Sequence, residues 1–125
     1  RADDLDASGA GARLYHRLDL ATVPSSLAQA RPADHYHLDD FKSAQVSLDS
    51  SSVTMHDHGF FYEMRVLAVG DFRRVGHGEF LVRFVERSET GGSYDRTAIL
   101  VVDPAPGGGL VATDALDVLR GDAGR

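Results

Sequence analysis

The chain contains no cysteine. That excludes disulfides, thiolate-held zinc, iron–sulfur clusters and thiol nucleophiles together. It leaves the compartment open, because a cysteine-free chain suits oxidising and reducing surroundings alike. Asparagine is also absent, so there is no N-glycosylation acceptor. Lysine is nearly so: Lys42 stands alone beside twelve arginines. Nineteen acids against thirteen bases give a formal net charge of −6, and residues 58–103 spread six arginines among seven acids without a basic stripe. Nucleic-acid binding needs a cationic face, so it is not expected. Long apolar runs are missing too. The longest is AILVV at 98–102, far short of a membrane span, and no charged-then-apolar leader opens the chain. The first residue is Arg1, so the chain reads as processed from a longer precursor or excised from a longer chain.

At 125 residues the chain suits one domain with one modest core. Residues 1–12 (RADDLDASGAGA) are small, acidic and glycine-bearing and read as a flexible arm. The domain is expected over 13–121, with 122–125 as a tail. In ARLYHRLDLATVP, Leu14, His16, Leu18 and Leu20 alternate with Tyr15, Arg17, Asp19 and Ala21. Period two favours a half-buried strand, with a short helix as the alternative. PSSLAQARP at 24–32 allows one or two helical turns between prolines. Residues 35–59 mix short strand patterns with a DSSS turn at 49–52.

From residue 60 the pattern sharpens. Phe60, Tyr62, Met64, Val66 and Ala68 share one strand face. Phe80, Val82 and Phe84 form the inward set of the next strand, with Glu79, Arg83 and Arg87 opposite. In SYDRTAILVVD both faces turn apolar after Ala98, as in a strand covered on both sides. TDALDVLRG at 113–121 reads as a helix capped by Thr113, with Leu116 and Leu119 inward and Gly121 as its stop. The expected fold is mainly β, or α+β: an antiparallel meander of long strands forming a curved sheet or partly open barrel. Short helices lie at the N-terminal side and the C-terminus. A cone, a barrel and a jelly roll are all compatible with that pattern.

The candidate chemistry lies in VTMHDHGFFYEMRVLAVG. His56 and His58 are two apart, Glu63 follows five later and Gly70 seven after that. Imidazoles at i and i+2 share a strand face, and Glu63 joins them only if the chain turns near Asp57–Gly59. The spacing His56-x-His58-x4-Glu63-x6-Gly70 resembles the first motif of the cupins. That resemblance implies a small metal-dependent β-barrel enzyme holding a divalent transition metal on His56, His58 and Glu63, with His77 as a fourth ligand. Ser50 stands where the motif has a glycine, and PAPGGGL at 104–110, where a second motif would fall, carries no histidine. A second pair, His35-x-His37, could join the first if the strands are neighbours.

Other constellations are incomplete. Ser50, Ser51 and Ser52 lack a nucleophile elbow. PAPGGG lacks the Lys-Ser/Thr of a P-loop. Asp39–Asp40 and Arg73–Arg74 read as solvated loop pairs, and Phe61 falls on the polar strand face, as interface aromatics do. No catalytic set is complete. The expected function is therefore a non-catalytic binding or assembly module without a cofactor, working with a protein partner or by self-association. The cupin-like enzyme is the alternative.

Overall fold

The structure is a computed structural model that describes residues 7–24, 36–92 and 94–119. Helix α1 (Ala10–Arg17) leads into a 3-10 turn at Leu20–Thr22 and, later, another at Leu38–Asp40. Six strands follow: β1 (Gln45–Leu48), β2 (Ser52–Asp57), β3 (Phe60–Gly70), β4 (Glu79–Ser88), β5 (Asp95–Pro104) and β6 (Leu110–Asp114). Helix α2 (Ala115–Leu119) ends the described chain. The strands form one open sheet in sequence order, each antiparallel to the next. The fold is thus mainly β and antiparallel, as the period-two runs predict. The helical turn expected within 24–32 and the helix stop at Gly121 fall outside the described residues.

Register sorts the side chains. Val53 pairs with Met64, Met64 with Phe84 and Phe84 with Ala98; Val66 pairs with Val82 and Val82 with Leu100. These residues face one layer made of Ala10, Leu14, Leu18, Leu20, Val23 and Leu38, and together they are the core. Leu100, Val101 and Val102 are buried in succession, as expected of a strand covered on both sides. Val101 lies off the main core, and α2 packs against β5 and β6.

The period-two reading of residues 12–24 as a strand is overturned. Leu14 and Leu18 fit a four-residue spacing as well as a two-residue one, and Ala10 extends the helical series; all three are fully buried. Ala10 and Gly11 belong to α1 rather than to a flexible arm, and without them the helical phase is hidden. In β3 the register slips between Val66 and Ala68, so Ala68 pairs with Leu81 and Val69 with Phe80. This bulge moves Ala68 off the face it was expected to share with Met64. At the C-terminus Thr113 belongs to β6. The cap of α2 is Asp114, whose Oδ1 accepts the Leu116 amide at 2.9 Å, and Leu116 is 58% exposed rather than inward.

Gly11 fixes how closely α1 approaches the β1–β2 hairpin. Its amide donates to the Ser50 carbonyl at 3.2 Å. A β-carbon there would lie 2.2 Å from the Asp49 carbonyl oxygen and 2.3 Å from that of Ser52. Alanine would gain about 1 kcal/mol of helix propensity and lose about 3 kcal/mol to overpacking against rigid backbone. Gly11→Ala is expected to lower the urea unfolding free energy by about 2 kcal/mol on that balance. A stabilised variant would show that the helix has room to spare.

Candidate functional site

The HDHG segment is a hairpin. β2 ends at Asp57 and β3 starts at Phe60, so His58 and Gly59 are the two loop residues. Their φ values are 49° and 81°, the double positive φ of a type I′ turn, whose twist matches that of the flanking strands. The turn restores parity as the sequence requires: His56 pairs with Phe61, and Thr54 with Glu63. His56 and Glu63 therefore share the face opposite the core, on diagonal positions of adjacent strands.

Each group is already engaged elsewhere. His56 Nδ1 meets Glu89 Oε1 at 2.9 Å. The Arg87 guanidinium lies 4.5 Å from the centre of the Phe61 ring, so the aromatic flagged as an interface residue carries a cation over its face. His58, 81% exposed, pairs with Asp57 at 2.9 Å. Glu63 turns away to Arg65 at 3.3 Å and Arg83 at 3.5 Å. His77 lies beyond the other end of β3, whose residues 60–70 span roughly 33 Å at strand rise. The four residues are not gathered around one point.

Among the described residues, the group whose ligand atoms lie within 4.8 Å of one another is His37, Asp39 and Asp40. His16 of α1 meets Asp39 at 2.9 Å, and Asp40 Oδ2 accepts the amides of Tyr36 and His37 at 2.9 and 3.0 Å. This acid pair is half-buried and partnered rather than solvated. His35 lies outside the described residues.

The densest ionic cluster sits at the β3–β4 connection, around a residue the alternation places outward. Glu79 is fully buried. Its Oε1 accepts the Arg73 amide at 3.0 Å and its Oε2 accepts Arg73 Nε at 2.6 Å. The same guanidinium reaches Asp103 Oδ2 at 2.6 Å, and His77 Nε2 meets Asp103 Oδ1 at 2.5 Å. Asp71 accepts the amides of Val75 and Gly76 at 2.7 and 2.9 Å, and those amides, Gly76 first, hold its carboxyl below the usual range. All four oxygens of Glu79 and Asp103 have donors, so neither is a spare base. Chemically the cluster is a clamp between the connection and β5. Sequence reasoning placed Arg73 beside Arg74 at an exposed tip. Only Arg74 is exposed, at φ 58°, and a return of the loop over Glu79 has no period-based signal.

A second buried acid, Glu86, faces the core beside Tyr62. It accepts the Tyr94 hydroxyl at 2.6 Å. Burial first, and then the Glu86 charge, pushes the Tyr62 hydroxyl up to about 12. Tyr62 accordingly stays protonated and serves as packing.

Compared with known protein families, curated proteins and solved structures, the chain matches none of them.

The hydrogen bond to Asp103, with the charges of Asp103, Glu79 and Asp71, raises the His77 pKa above its ordinary 6.5. A folded-state pKa above the unfolded one gives stability that is complete below pH 6.5 and fades as pH climbs through the raised value. His58 is raised by Asp57 in the same direction, so the two contributions are separated by difference. His77→Gln is expected to flatten the fall of the urea midpoint above pH 6.5 relative to wild type. An unchanged slope would show that His77 and Asp103 are not coupled to folding.

Proposed function

We propose that this chain is a non-catalytic binding and assembly module that associates with a second copy of itself through the free edge of β1. The observation that carries this reading is the difference between the two edges of the sheet. The β6 edge is covered from within. Leu18 bridges to Leu110 in parallel, the Asp19 amide donates to the Leu110 carbonyl at 2.8 Å, and the Ala112 amide donates to Thr22 Oγ1 at 2.9 Å. Among the described residues nothing pairs with the outer edge of β1.

The sequence of β1, QVSL, holds neither a charge nor a proline, two of the devices that guard edge strands, and its shortness is the one guard it has. The Asp49 amide bonds to the Ser52 carbonyl at 2.9 Å. Bonded and non-bonded pairs alternate along an antiparallel ladder. Ser47 and Gln45 therefore bond to β2, while the amides and carbonyls of Val46 and Leu48 point outward. Leu48 is 43% exposed and adds apolar area at the joint. An antiparallel β1–β1 contact is self-complementary, as a two-fold dimer requires. With four residues a side the ladder is short, which suits a reversible dimer better than an obligate one. The engagement of His56, His58, Glu63 and His77 with separate partners supports binding over metal chemistry as the working reading.

Proline at 48 removes one outward amide and leaves the β2 ladder intact, a placement that edge strands tolerate. Sedimentation equilibrium of the wild type is expected to show a concentration-dependent monomer–dimer mixture. Leu48→Pro should shift it to monomer with the far-ultraviolet spectrum unchanged. A wild type that stays monomeric at every concentration, or a folded Leu48→Pro protein that dimerises equally well, would sink the reading.

A further inference from the structure

We propose that the cleft between α1 and the β5–β6 connection is an anion site that takes the phosphate group of a small phosphorylated ligand. The cleft has a volume of about 480 Å³ and is lined by Ala12, Arg13, His16, Arg17, Gly107 and Gly108. That volume suits a small organic molecule and exceeds what a bare ion needs. It lies apart from the β1 edge and does not depend on the assembly reading.

Two sequence features that carry nothing separately meet here. Arg13 and Arg17 are four apart in α1 and so share a helix face. The glycine run of PAPGGG supplies the opposite wall, and its closure is fixed by backbone bonds: the Ala105 amide to the Gly109 carbonyl at 2.8 Å and the Gly108 amide to the Ala105 carbonyl at 3.3 Å. Gly107 and Gly108 both hold φ of 87°, a conformation that side-chain-bearing residues rarely adopt. A β-carbon on Gly108 would sit 3.6 Å from the Arg17 guanidinium, so a larger residue would grow into the space between the walls. The Leu18–Leu110 bridge ties the helix end to the loop. The separation of the walls is therefore set by the fold.

The charge balance points to the ligand. Arg65, Arg73 and Arg83 each have a carboxylate partner, and Arg74, Arg87 and Arg96 have none within 4.0 Å among the described residues. Neither Arg13 nor Arg17 has one within 4.0 Å among the described residues, in a chain of net charge −6. The Arg13 guanidinium lies 5.9 Å from the centre of the Phe80 ring, which keeps its stem against the core. Like charges four apart on a helix repel, and an anion between them turns that cost into attraction. Groups that oppose an anion are the C-terminal carbonyls of α1, Asp39 and Asp19. Asp39 is tied to His16 at 2.9 Å, and Asp19 accepts the Ala21 amide at 3.0 Å. A phosphate monoester, with a charge of about −1.5 to −2 at neutral pH, matches two guanidinium forks, which also bind its oxygens in pairs. A single carboxylate, with one negative charge, would offset only one of the two guanidinium charges.

The test is a titration of the uniformly 15N-labelled chain with inorganic phosphate at low ionic strength, and with acetate in parallel, followed by amide shifts. Phosphate should give saturable shifts at residues 12–17 and at Gly107 and Gly108. Arg17→Gln should weaken the fitted affinity by about tenfold, the worth of one charge-assisted contact. Arg17 is exposed, so that variant should keep the wild-type spectrum elsewhere. Shifts that fail to saturate, or that scatter over the surface, overturn the site. Equal affinity in Arg17→Gln overturns the role of the arginines. An acetate curve matching that of phosphate overturns the ligand class.

Discussion

The two layers of this protein meet at a contact that contains no side chain. The backbone of Gly11 lies against the carbonyls of Asp49 and Ser52 at the β1–β2 hairpin, and its amide completes a bond to Ser50. This seat pins the first turn of α1. Ala10, Leu14 and Leu18 then follow at four-residue intervals onto the core face of the sheet, and the chain beyond them runs along β6 to seal that edge. The helix that packs the core thus also decides which edge of the sheet is closed and carries Arg13 and Arg17 to the glycine loop. A shift of α1 would disturb packing, edge protection and the cleft together.

An acidic chain must place its carboxylates where donors can meet them. Glu79 and Glu86 are both fully buried on β4, on opposite faces of the strand. Removing such ions from water costs several kcal/mol each in real proteins. Each is supplied locally: Arg73 gives Glu79 its backbone amide and its guanidinium, and Tyr94 gives Glu86 a hydroxyl. Networks of this kind fix geometry more than they add stability. Here they set the β3–β4 connection over one end of the sheet and Tyr94 over the other. The connection is thereby joined to both β4 and β5, through Glu79 and Asp103, by one guanidinium.

How much of this was legible follows from the range of each signal. Alternation over ten residues identified β3, β4 and β5 and the inward set Phe80, Val82 and Phe84, because period two is local and strong. The glycine and serine turns were legible for the same reason. The bulge at Leu67 was not, since a bulge leaves composition unchanged and appears only as a slip against the partner strand. α1 was misread because 14 and 18 satisfy two periods at once, and the residue that breaks the tie, Ala10, sat in a glycine-rich stretch. The cap of α2 slipped by one because Thr113 and Asp114 are both good caps; pairing of Asp114 with Leu100 in β6 makes it the last strand residue and the first capping one. The clamp on Glu79 and the cleft of Arg13, Arg17 and Gly108 depend on residues that meet only through tertiary structure. No spacing rule could have reached them.

The histidine spacing shows how far a short motif can be explained by a hairpin alone. Residues at i and i+5 flanking a two-residue turn pair directly across it, as His56 and Phe61 do, and i+7 then lands one diagonal further on the same face, as Glu63 does. Any strand–turn–strand unit with a histidine before the turn and an acid after it reproduces this geometry. What it does not supply is convergence. A metal needs three or four ligands within about 2 Å of one point, which requires a strand from elsewhere to close over the face. Here β3 pairs next with β4, which offers Arg83 and Val85 beside Glu63. Arg83, together with Arg65 of β3 itself, draws the carboxylate into ion pairs instead, and the sheet runs on to β6 without returning to β1.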